Sequence, residues 1–105
     1  LQEKDPVSIL LKVVKQYLMR KSTIIFSLAR TSGQKQVKIE LLGLMREYTR
    51  IYLAGKLSHI LREIINNKNY LEKLKEYGIT EIVLGENSKG YIVIDIELAE
   101  KKLLK

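Results

Sequence analysis

The chain has no cysteine and no tryptophan, and only one histidine, one proline and one phenylalanine in 105 residues. Without cysteine, a disulfide scaffold, a cysteine-ligated zinc site, an iron–sulfur cluster and thiol chemistry are all excluded. The lone histidine, His59, has one carboxylate at helical spacing, Glu63, and one histidine with one carboxylate is not a metal site. Aspartate occurs only at positions 5 and 95, which leaves no ready carboxylate pair or catalytic triad, and no glycine-rich phosphate loop is present. These absences describe a non-enzyme with no catalytic residues, no cofactor and no metal. Apolar runs stop at four residues, so no membrane insertion is expected. No charged-then-apolar leader opens the chain, which makes the cytoplasm the expected compartment. The start at Leu1 fits a piece cut from a longer chain, and abundant Ile, Leu, Lys and Glu lean towards a thermophile.

Acidic residues are scarce in one region only. Residues 12–62 hold eleven Lys and Arg against Glu40 and Glu47, whereas residues 63–105 hold seven basic and eight acidic groups. The formal charge of +7 is therefore carried by the first two-thirds of the chain. A one-sided cationic field suits a polyanion, because each Lys or Arg that neutralises a phosphate releases a condensed counterion.

Asp5-Pro6 reads as a helix start, with Asp as N-cap and Pro at the first helical position. Ile9, Leu10, Val13, Val14, Tyr17 and Leu18 then make an amphipathic helix over 6–20. Residues 23–31 fit a second helix, stopped by Thr31-Ser32-Gly33, although their β-branched content also fits a strand. Val37, Leu41, Leu44, Met45 and Tyr48 fit a third over 35–48. The alternation of Val37, Ile39 and Leu41 competes as a strand, and Gly43 weakens the helix by about 1 kcal/mol. Leu57, Ile60, Leu61, Ile64 and Ile65 define a helix over 53–66, and Tyr70, Leu71, Leu74 and Tyr77 one over 70–77 that Gly78 ends. Two β-rich runs around Gly85-Glu86-Asn87-Ser88-Lys89-Gly90 form a hairpin over 79–98, before a short charged tail with helical character. Tyr17, Tyr48, Tyr70 and Tyr77 fall on apolar stripes, as packing residues with exposed hydroxyls do.

Leu57-Ser58-His59-Ile60-Leu61-Arg62-Glu63-Ile64, then Leu71-Glu72-Lys73-Leu74-Lys75-Glu76-Tyr77-Gly78-Ile79 and the hairpin, resemble a winged helix-turn-helix domain over about half the chain. That family commonly closes its recognition region with Leu-x-x-Leu-x-x-x-Gly-[Leu/Ile] and passes directly into a two-stranded wing. One departure is Asn66-Asn67-Lys68-Asn69, which implies a long kinked helix or an inserted turn. The resemblance implies a single α+β domain, mostly helical with a C-terminal β-hairpin as its wing. It further implies a transcriptional regulator binding double-stranded DNA as a homodimer. The helix beginning near Ala54 would enter the major groove with Lys56, Ser58, His59 and Arg62, while Lys38, Arg46 and Arg50 hold phosphates.

Glu81, Glu86, Asp95, Glu97 and Glu100 against Lys89 make the hairpin region acidic, so only its tip, Asn87, Ser88 and Lys89, is expected to reach DNA. An alternative assigns the same fold to protein–protein assembly, with a partner on the acidic hairpin. A more distant one rests on Val37-Lys38-Ile39-Glu40-Leu41-Leu42-Gly43, a following helix and a last strand at 91–98, which loosely resemble the Alba family of archaeal chromatin and RNA-binding proteins.

Overall fold

The computed structural model describes residues 5–86 and 89–104. Helix α1, Pro6–Thr31, starts where the sequence places it. Asp5 accepts hydrogen bonds from the Val7 N–H at 3.1 Å and the Ser8 hydroxyl at 3.2 Å, and proline fills the first turn. Val7, Leu10, Val13, Val14 and Leu18 are buried in the core. The break expected between helices at 6–20 and 23–31 does not occur, and one 26-residue helix replaces the two. Arg20, Lys21 and Thr23 lie in solvent at this point. Their polarity therefore reflects exposure, and the backbone hydrogen bonds run on. Phe26 and Ala29 return to the core before Ser32 and Gly33 end the helix.

The helix expected at 35–48 divides. Strand β1, Gln36–Glu40, runs straight into helix α2, Leu41–Ile51, with no intervening turn. Val37 and Ile39 point inward by strand alternation; Leu41, Leu44 and Tyr48 do so by helical spacing. The strand reading of Val37, Ile39 and Leu41 is thus correct up to Glu40. Helix α3, Leu57–Ile65, buries Leu57, Leu61 and Ile64, each contributing about 1.5–3 kcal/mol. It is shorter than the 53–66 expected because residues 52–56 form a turn, in which Gly55 takes a left-handed φ of 85°. The Tyr48 hydroxyl closes that turn by donating to the Ala54 carbonyl at 3.0 Å.

Asn66 and Asn67 form an inserted turn rather than a kink. The Asn67 side chain caps helix α4, Lys68–Glu76, accepting from the N–H groups of Asn69 at 3.0 Å and Tyr70 at 3.3 Å. Strands β2, Ile79–Val83, and β3, Tyr91–Asp95, follow as the expected hairpin. The sheet, however, has three antiparallel strands in the order β1-β3-β2. Val37 faces Ile94 and Ile39 faces Ile92 across β1 and β3, and a bulge at Thr80 shifts the register of β2. The fold is α+β, as expected, but its strands are not confined to a C-terminal hairpin. The hairpin also ends earlier than 98: Ile96–Leu98 form a short helical turn, α5, capped by Asp95, and Ala99–Leu103 a π-helical turn. No helix among the described residues is long and apolar enough to cross a membrane.

Candidate nucleic-acid interface

Arg46 and Arg50 lie one turn apart on the exposed side of α2. Between them sits Glu47, in the position the apolar stripe of Leu44, Tyr48 and Ile51 would give to a core residue. It is the one buried charged side chain among the described residues, at 6% exposure. Its Oε1 accepts from Arg20 of α1 at 3.0 Å and lies 3.7 Å from an Arg50 nitrogen. Both guanidinium groups stay about half exposed. Their attraction to Glu47 is therefore screened, and it works mainly to fix where they stand.

Tyr17, Arg20, Lys21, Gly43, Arg46, Glu47 and Arg50 enclose a groove of about 100 Å³ between α1 and α2. A Cβ on residue 43 would lie 2.9 Å from the Tyr17 ring, so Gly43 lets that ring rest against α2. The Lys21 ammonium sits 5.3 Å from the ring centre, a cation–π distance. Burial, with the carboxylates of Glu40 and Glu47 nearby, pushes the Tyr17 phenol above its ordinary value. Neither Arg20 nor Lys21 stood out in the sequence. The signal available was Glu47 itself, an acid on an apolar stripe, which calls for a cationic partner from another element.

The residues expected to read bases occupy the turn and α3. Lys56 precedes the first helical residue, His59 and Arg62 are exposed, and Ser58 is half-buried. The expected phosphate holders divide between two places. Arg46 and Arg50 share the α1–α2 groove, whereas Lys38 lies on the outer sheet face, 4.7 Å over the Tyr91 ring. Lys38 there lines a second, wide groove with Lys35, Glu81, Asp95, Ile25 and Leu28. Of the hairpin tip, Asn87 and Ser88 lie outside the described residues, and Lys89 is exposed.

The acids of the hairpin region have local roles. Asp95 caps α5, Glu97 pairs with Lys101 at 3.0 Å, and Glu100 pairs with Arg30 at the end of α1. Glu81 and Glu86 are exposed on the hairpin with no such pairing among the described residues, and Glu97 and Glu100 belong to the turns beyond it. Tyr17 and Tyr70 pack half-buried against the core; Tyr48 is buried against Tyr52, ring centres 5.0 Å apart, with its hydroxyl bonded to Ala54 rather than free in solvent, and Tyr77 is half-buried. No group of three His, Cys, Asp or Glu side chains that could hold a metal occurs among the described residues. Comparison with protein-family models, curated proteins and solved structures finds no match to this chain.

Proposed function

We propose that this chain is a winged-helix DNA-binding module, a transcriptional regulator that grips duplex DNA through the basic faces of α1, α2 and α3. The observation that carries the reading is the α2–turn–α3 unit. Two short helices flank a five-residue turn containing Gly55, and two antiparallel strands follow α4 after the Gly78 stop. In such a unit the second helix offers its leading residues to the major groove while the first crosses the backbone. Lys56, Ser58, His59 and Arg62 are then the candidate base readers, and Arg46 and Arg50 the phosphate holders. The test is fluorescence anisotropy with mixed duplex fragments at two salt concentrations. Four to six phosphate contacts give a loss of about 10²- to 10³-fold between 50 and 200 mM salt. Affinity that ignores salt overturns the reading.

A second reading, a protein-assembly domain of the same architecture, draws on Ile24 and Leu28. These side chains are two-thirds exposed on α1, and Leu28 lines the wide groove on the outer sheet face. A second copy of the chain covering them would also supply the two-fold partner that paired DNA half-sites require. Light scattering separates these cases: a homodimer that binds duplex favours the regulator, and a stable heteromer that ignores duplex favours assembly.

A further inference from the structure

We infer that the groove between α1 and α2 is a built phosphoryl-binding site, with Arg20, Lys21, Arg46 and Arg50 as its donors and Glu47 as the residue that positions Arg20 and Arg50. A buried carboxylate is costly unless paired and hydrogen-bonded. Here its pairing holds guanidinium groups from two different helices at one place, Arg20 at 3.0 Å and Arg50 at 3.7 Å. Each guanidinium has five donors. Contact with a single carboxylate oxygen leaves most of them for a ligand, and the two side chains are 49% and 57% exposed. Arg46 and Lys21 pair with no carboxylate among the described residues, so the lining carries four cations against one acid. Glu40 acts on the Tyr17 hydroxyl from the side but is not part of the lining. The groove, about 100 Å³ in volume, has room for a phosphoryl group beside these side chains. Fixed guanidinium forks recognise phosphoryl oxygens with directed, charge-assisted bonds.

The phosphoryl group can come from a nucleic-acid backbone, in which case the site rests on the DNA-binding reading and deepens it. It can also come from a free phosphate compound. The experiment titrates inorganic phosphate, then a short duplex, into the full chain while following arginine side-chain NMR signals. Phosphate is expected to move Arg20, Arg46 and Arg50 saturably and to leave Arg30 and Arg62 in place. The deciding variant is Glu47→Gln. A diffuse cationic patch would bind phosphate more tightly once an acid is removed, whereas a positioned site binds about tenfold more weakly. Lys21→Gln combined with Arg46→Gln spares the Glu47 pairing and carries the test should Glu47→Gln unfold. It too is expected to weaken phosphate binding about tenfold. In the phosphate titration, unsaturable shifts, shifts shared with Arg30 and Arg62, or undiminished affinity in whichever variant stays folded overturn the site. A duplex that competes with phosphate for the same signals assigns the site to a nucleic-acid backbone. A duplex that does not bind leaves the site to a free phosphate compound and defeats only the DNA-binding reading. A duplex that binds the double variant at full strength, while phosphate moves nothing, defeats only the site.

Discussion

The two halves of α1 use similar side chains in opposite surroundings. In residues 6–18, Val7, Leu10, Val13, Val14 and Leu18 are all buried against the other helices. In residues 19–31, Met19, Ile24 and Leu28 are more than 60% exposed, Arg20 and Lys21 border a groove, and Phe26 and Ala29 are buried. The first half holds the fold together. The second keeps Phe26 and Ala29 in the core but exposes Met19, Ile24 and Leu28, so substitutions at those exposed positions should leave stability nearly untouched.

The sharpest test of that division is Leu10→Ala, which leaves a cavity in the first half. It should cost about 2–5 kcal/mol by urea denaturation, and a cost below about 1 kcal/mol would break the comparison. Next comes Gly43→Ala, where the two halves meet. The added methyl would sit 2.9 Å from the Tyr17 ring, and the resulting overpacking of about 1–3 kcal/mol should exceed the helix-propensity gain of about 1 kcal/mol. Arg46→Gln should leave the melting midpoint unchanged and lower the slope of log affinity against log salt by about 0.9 for duplex DNA. Leu28→Ser should change stability by less than about 0.5 kcal/mol, and under the homodimer reading it should shift the species seen by light scattering towards monomer.

The smallest expected effect belongs to Tyr17. Its folded-state pKa lies above 10.0, so the folded chain keeps the phenolic proton at a pH where the unfolded chain loses it. The stability this provides is complete below pH 10 and is lost as pH rises through the folded value. Tyr17→Phe should therefore make stability fall less steeply with pH in that range, as read by denaturation at successive alkaline pH values.

Periodicity revealed the elements whose apolar spacing and end signals agree. Asp5-Pro6 marked the start of α1, Leu57, Leu61 and Ile64 marked α3, and the Gly85–Gly90 cluster marked the hairpin. Strand β1 stayed ambiguous because Val37, Ile39 and Leu41 satisfy a period of two while Leu41, Leu44 and Tyr48 satisfy a helical one. The junction at Glu40 carries no glycine, proline or side-chain cap to separate them. The continuity of α1 was hidden by its polar stretch, where Arg20, Lys21 and Thr23 are exposed and so need not be apolar. In the site, Arg46 and Arg50 were singled out through the winged-helix resemblance, and both line the α1–α2 groove. Arg20 and Lys21 join them only through tertiary packing, which local spacing does not report.

The turn at Asn66 and Asn67 fixes a length. Helix α3 ends after nine residues, so it extends about 13 Å. Laid along a duplex at 3.4 Å per base step, it could span about four base pairs. Under the DNA-binding reading, a ruler that short makes one chain a poor discriminator of sequence and sets the preferred target as two brief, inverted words about one helical turn apart.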